Sequence, residues 1–218
     1  MTIPVDYTRF NQRRDRTAYL ADHFRQYLQG SILDVGCDQA VLKQLLPDQP
    51  YTGIDVAGTP DIQLDLEKID RLPFDDAHFG AVVCTDVLEH LDNLHAMFDE
   101  LLRVSGRYVV MALPNCWQVA RVPISRGRGG FAHYGLPADR PADRHKWFFS
   151  YSQAHAFVTE QLRRRPAWKL RDHRICEKPR SGLIRTLRHL RYGQEQKYWN
   201  RYCHTAWFVL ENSQCTDT

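Results

Sequence analysis

The stretch ILDVGCDQAVL, residues 32–42, decides how this chain is read. Ile32 to Val35 is a short apolar run rich in β-branched residues, with Gly30-Ser31 before it and Gly36 after it, the signature of a buried strand ending in a tight turn. Val41, Leu42, Leu45 and Leu46 then recur on one face of a helix. Strand, sharp turn and helix make a corner of a parallel α/β sheet, where ligands sit beyond the carboxyl end of the strand. Backbone cradling of a nucleoside diphosphate usually takes a full G-x-G-x-x-G. Here the pattern is D-x-G-x-D-x-A, with Gly36 the one glycine left. Asp34, just before the turn, suits a ligand with a positive group. About twenty residues on, Asp55 ends the strand-like run YTGID, where a carboxylate can accept both hydroxyls of a ribose.

An adenosine with a cationic tail satisfies both carboxylates, and S-adenosylmethionine has that shape. The stretch resembles the first motif of the class I S-adenosylmethionine-dependent methyltransferases, in particular the methyltransferase type 11 group, usually D-x-G-C-G-x-G. Asp38 and Ala40 stand here for the second and third glycines. Asp tolerates a left-handed backbone better than most residues, and alanine adds one methyl, so the turn is expected to form. The resemblance implies a Rossmann-like, seven-stranded, mostly parallel sheet with helices on both faces and an antiparallel last strand. It also implies cofactor contacts from Asp34, Gly36, Asp38, Asp55, Val56, Asp65, Leu66, Thr85, Asp86 and Val87.

Composition sets the bounds. At 218 residues, 43% hydrophobic and 11% aromatic, the chain suits one globular domain. No run approaches a membrane span, and the first residues lack the apolar core of a secretory signal. The cysteines at 37, 84, 116, 176, 203 and 215 form no C-x-x-C pair, so a cytoplasmic protein without structural zinc or disulfides is expected. The net charge of +3 is unevenly spread. Residues 161–200 carry twelve Lys or Arg against three acids, a surplus that points to a partner.

Residues 16–29 place Leu20, Phe24, Tyr27 and Leu28 on one helical face ahead of the first sheet strand. In the resembled family such segments often lie across the cofactor, which Tyr7, Arg14 and Tyr19 would do here; a purely structural helix is the plainer expectation. Residues 61–93 match the family's middle motif closely. Asp65-Leu66 falls where an acceptor for the adenine amino group and an apolar wall are needed. Leu72, Pro73, Phe74 and Phe79 pack the entry to a strand at 81–85, with Gly80 where the family usually has Asp. Thr85-Asp86-Val87 lies at that strand's carboxyl end. Asp86-x-x-Glu89-His90 also resembles the ligand pattern of metal-dependent small-RNA 2′-O-methyltransferases, with His133 or His145 as a further ligand. The same letters open this helix in metal-free relatives, so no metal is expected. Leu94, Phe98, Leu101 and Leu102 mark the next core helix, and residues 107–115 the fifth strand, where the specific resemblance ends.

Residues 116–149 lack a clear period and carry the glycine-rich SRGRGGF. Thirty irregular residues beside a cofactor pocket are expected to form a lid or binding loop. Related proteins in cell-surface polysaccharide or lipid pathways carry a similar Tyr-Gly … Asp-Arg-His … Phe-Ser insert, which implies a substrate cover. Its candidate reactive groups are His133, Tyr134 and His145, with Arg144 as an orienting group. The bland alternative is that Asp143, Arg144 and His145 only staple the loop. Beyond it come a helix at 150–162, a strand at 168–176, a basic helical insert at 177–202 and a last strand at 205–211, with a frayed tail.

Holding nucleophile and methyl together in a dry pocket is worth about 7–11 kcal/mol, and a general base roughly 3–5 kcal/mol. The lack of an obvious base is therefore compatible with methyl transfer, with an oxygen of a small or glycan-type, anionic acceptor favoured. The basic region admits three partners: an anionic or phosphorylated molecule, RNA stacked on Trp168, Tyr192, Tyr198, Trp199 and Tyr202, or an anionic membrane surface. A solvated face that binds nothing, and a non-catalytic binding module, are the rival expectations. A monomer or weak dimer is expected.

Overall fold

The computed structural model describes residues 3–131, 133–139, 141 and 143–214. Eight strands form one mixed sheet: β1 (Val5–Tyr7), β2 (Ile32–Val35), β3 (Tyr51–Asp55), β4 (Ile62–Gln63), β5 (Phe79–Thr85), β6 (Ser105–Pro114), β7 (Trp168–Glu177) and β8 (Cys203–Asn212). Their order is β1-β7-β8-β6-β5-β2-β3-β4. All pairs are parallel except those of β8, which runs antiparallel to both β6 and β7. The sheet is thus Rossmann-like with one strand more than the seven expected. The extra strand is β1, three residues paired in register with Ile175–Glu177, too short to carry a period of its own.

The central strands read as continuous apolar runs because both faces are covered. Leu33, Val35, Val82, Val109 and Met111 pack on one side with α3 (Leu94–Val104) and α5 (Tyr151–Arg163). Ile32, Ala81, Val83, Val110 and Trp207 pack on the other with α1 (Arg13–His23). A Ser150 cap with Gln153 three residues on starts α5, each satisfying the other's backbone donor. The helix expected over 16–29 begins earlier and ends at His23; Phe24 leaves helical geometry for a single 3₁₀ turn, and Phe24, Tyr27 and Leu28 are all buried.

The segment expected to be irregular is partly regular. Residues Cys116–Ser125 form a helix, α4, with Pro123 inside it, and the irregular part begins only after Ser125. The basic insert is two helices, α6 (Gly182–Arg191) and α7 (Glu195–Tyr202), between β7 and β8. Here the RNA-stacking expectation is corrected: Trp168, Tyr198 and Trp199 are buried in the core, so three of the five rings offer no face to a base. The five described cysteines are free and buried. No helix is long and apolar enough to cross a membrane among the described residues. Residues 215–218 of the expected frayed tail lie outside the described residues.

Candidate active site

The turn between β2 and α2 (Val41–Leu45) is built on left-handed backbone. Gly36, Asp38 and Ala40 all have positive φ, at 79°, 49° and 48°. Asp38 and Ala40 therefore adopt the conformation that glycine takes most readily, and the turn expected from the sequence forms without the two glycines. Gly36 is required for space: a Cβ there would collide with Val87 Cγ2. The close approach binds the turn to the segment following β5. Asp55, at the end of β3, accepts the Asp38 N–H through Oδ2 (2.8 Å) and the Ala57 N–H through Oδ1 (3.1 Å). A carboxylate has about four acceptor positions, so each oxygen keeps capacity for a further donor. Beside it Val56 stands 56% exposed, an apolar surface at the mouth of the turn.

Asp34 is buried and takes a 2.8 Å hydrogen bond from the Tyr51 hydroxyl. Burial pushes its carboxyl up to about 7, against the opposing pull of Tyr51 and with a further push from Asp55. Asp65 behaves oppositely: Lys68, 2.9 Å away, holds it below the usual carboxylate range. Leu66 packs in the core, and its carbonyl accepts from the Asn93 amide.

Helix α1 lies across this end of the sheet through two arginines that sequence reasoning passed over. Arg13 pairs with Asp38 (3.4 Å) and Arg16 with Asp86 (2.7 Å). The tyrosines expected there have other tasks: Tyr19 is buried and donates to Asp6, while Tyr7 lies under the Arg185 guanidinium. Asp86 follows β5 with φ 53°. Arg16 Nε and Asp86 Oδ1 are both buried without a hydrogen-bond partner, a donor and an acceptor left open side by side.

Next to Asp86, the insert folds over a cluster of imidazoles. The His145 ring stacks on His133 at 4.5 Å and meets His90 edge-on at 4.5 Å. Tyr134 Oη lies 3.0 Å from His145 Nδ1 and donates to the Trp147 carbonyl. His90 Nδ1 lies 2.6 Å from Asp143. The three expected reactive groups are thus brought together, while Arg144 is exposed outside the cluster. Burial, reinforced by His90 and His133, drives His145 down to about 3, so its imidazole is neutral at working pH. Glu89 beneath them is fully buried with both carboxylate oxygens unpaired, and burial raises its pKa well above the usual value. The donor atoms of Glu89, His90 and His145 lie within 4.8 Å of one another, a set of the kind a divalent cation takes.

Two residues that the sequence did not single out clamp the insert. Lys146 bonds Glu67 and Asp92 with its ammonium and the Glu89 carbonyl with its N–H. The Trp147 indole donates to the Leu91 carbonyl at 2.7 Å.

A family model described as a methyltransferase domain matches residues 6–165. The chain belongs to that family. It is a class I S-adenosylmethionine-dependent methyltransferase, with the sheet order of that architecture. Among solved structures, an S-adenosylmethionine-dependent methyltransferase from Archaeoglobus fulgidus is 14% identical with TM-score 0.58, over 93% of this chain and 96% of that one. The small RNA methyltransferase HEN1 is 14% identical with TM-score 0.56, over all of this chain but 28% of the other. The magnesium protoporphyrin IX methyltransferase of Synechocystis PCC 6803 is 15% identical with TM-score 0.50, over 91% and 81% of the two chains. At these identities the likeness is one of fold. No curated protein matches the sequence.

The residues of this methyltransferase fit the cofactor. Arg16 Nε and Asp86 Oδ1, open and buried, match the carboxylate and ammonium of an amino-acid tail. The free acceptor capacity of Asp55 matches ribose hydroxyls, and Asp38, which replaces a motif glycine, directs its carboxylate to Arg13.

Proposed function

We propose that this methyltransferase methylates an oxygen of a small or glycan-type anionic acceptor held between the insert and a crowd of cations at the same end of the sheet. The observation that carries the anionic part is that crowd. Burial lowers the Arg121 pKa, and Arg201 and Arg188 lower it further. Burial lowers Lys178 too, with Arg9, Arg180 and Arg121 adding to the shift. The guanidiniums of Arg121 and Arg188 lie over the Tyr202 ring at 5.4 and 4.2 Å, and Arg201 over Tyr192 at 5.1 Å. Glu177 neutralises Arg188, but Arg121 Nε and Arg201 Nε are buried without a partner. Folded repulsion of this kind is relieved by an anion, and arginine forks suit phosphate or carboxylate.

S-adenosylmethionine supplies an electrophilic methyl on a sulfonium, displaced in line by the acceptor. The protein's own part is positioning and exclusion of water, about 7–11 kcal/mol of the barrier when well made. Asp55, Arg16 and Asp86 hold the cofactor; the neutral His145 imidazole and the Tyr134 hydroxyl orient the acceptor hydroxyl and receive or pass on its proton. Fractionated cell extract incubated with the protein and methyl-labelled cofactor tests the proposal. Label in anionic metabolites or glycans, reduced by Arg121→Gln through a raised KM with cofactor affinity unchanged, supports it. Label confined to RNA or neutral lipids contradicts it.

A further inference from the structure

Helix α6 is built inside out. Its polar side faces the protein: Arg185 lies over the Tyr7 ring at 3.9 Å, Arg188 pairs with the buried Glu177, and His189 stacks on Tyr198 at 3.7 Å. Its apolar side faces solvent, with Leu183, Ile184, Leu187 and Leu190 exposed by 72, 41, 57 and 77%. An amphipathic helix normally buries that stripe, and none of α6 is buried. The neighbouring α4, joined to α6 where Arg121 and Arg188 share the Tyr202 ring, adds exposed Trp117 and Ile124.

We propose that this α6 surface docks on an anionic lipid bilayer, with the leucine stripe immersed among the acyl chains and the exposed Arg180 and Arg191 at the phosphates. Charge complementarity selects the occupant. Between residues 178 and 194 the chain has no acidic residue, and the exposed Arg180 and Arg191 stand at the two ends of the helix that carries the apolar stripe. A single protein partner would have to supply a matched groove lined by acids. A bilayer supplies both an apolar interior and a dense negative surface without shape matching, and leucine tips that stand this far into solvent suit it. Cationic polar flanks with a leucine-rich apolar face are the pattern of helices that lie in the interfacial plane. The docking is independent of the acceptor: it holds whether or not the methylated molecule is itself lipid-linked.

Co-sedimentation of the full chain with vesicles tests the proposal, using phosphatidylcholine alone and phosphatidylcholine mixed with phosphatidylglycerol. The expected result is binding to the mixed vesicles at least about tenfold tighter than to the neutral ones, weakening as salt rises. Leu187→Glu/Leu190→Glu should lose at least about tenfold of that binding, since it puts charge on the immersed stripe. Ile62→Glu, at the far edge of the sheet on β4, should retain it, and both variants should keep the wild-type melting temperature because the substituted side chains are exposed. No binding to anionic vesicles, or equal binding by wild type and the double variant, would overturn the proposal. So would sedimentation-velocity evidence of a wild-type dimer that the double variant dissolves, because the stripe would then be covered by a second copy.

Discussion

Asp34 should make the protein less stable as pH rises from about 4 towards neutrality, and Asp34→Asn should remove that loss. The carboxyl is buried beside β3, and burial raises it from 3.8 to about 7. A group whose folded pKa is raised contributes stability that is fully present below the unfolded value and lost as pH rises to the folded one. The window is therefore roughly pH 4 to 7. At 1.36 kcal/mol per pH unit, a carboxyl raised from 3.8 to about 7 costs the wild type on the order of 4 kcal/mol across the window. Asparagine keeps an acceptor for Tyr51 and has no proton to release. For a chain of this size about 1 kcal/mol moves the melting temperature by roughly 2–4 °C. Asp34→Asn should thus melt on the order of 10 °C higher at pH 8 and nearly together with wild type at pH 4. Thermal unfolding of both proteins from pH 4 to 8 measures the difference directly, since other groups titrate alike in the two. Parallel profiles, or a variant less stable at pH 8, would refute the reasoning. The same carboxylate gives the cost a purpose: a cationic ligand group beside it favours the ionised form, so cofactor affinity should tighten towards pH 7 in wild type and stay flat in the variant.

Arg16→Gln should weaken S-adenosylhomocysteine binding by about tenfold or more, the worth of a charge-assisted bond, and lower the melting temperature because Asp86 loses its ion-pair partner; equilibrium titration on the folded variant checks the binding. His145→Gln should lower kcat by roughly 10²–10⁴ if the imidazole handles the acceptor's proton, leaving cofactor affinity intact in the same titration. Glu177→Ala removes the buried partner of Arg188 and Tyr198; urea unfolding should report a loss of about 3 kcal/mol or more.

Legibility in the sequence tracks the range of the interactions. The turn at Gly36, Asp38 and Ala40 is written in adjacent letters, and the structure forms it with Asp38 and Ala40 both at positive φ. Core strands such as β5 and β6 announce themselves as apolar runs. Short β1 has no such run, because its pairing with β7 spans almost the whole chain. Helix α4 was hidden by Pro123 and by the glycines beyond Ser125. Tyr198 and Trp199 looked like exposed platforms because Arg and Lys surround them in sequence, yet α7 turns both rings into the core. Arg13 and Arg16 gave a weak signal, two arginines three apart on a helix ahead of the cofactor strand, which becomes specific once Asp38 and Asp86 are found opposite them. The histidine cluster joins residues 90, 133 and 145 through tertiary contacts alone.

The central claim is that the corner formed by the β2 turn and Asp55 grips S-adenosylmethionine despite its two missing glycines. Isothermal calorimetry with S-adenosylmethionine, on wild type and on Asp55→Ala with its folding verified by circular dichroism, tests it most directly. One-to-one binding below millimolar concentration is predicted, weakened about a hundredfold in the variant by the loss of two ribose hydrogen bonds to a carboxylate. No heat from the wild type, or the same affinity in both proteins, would contradict it.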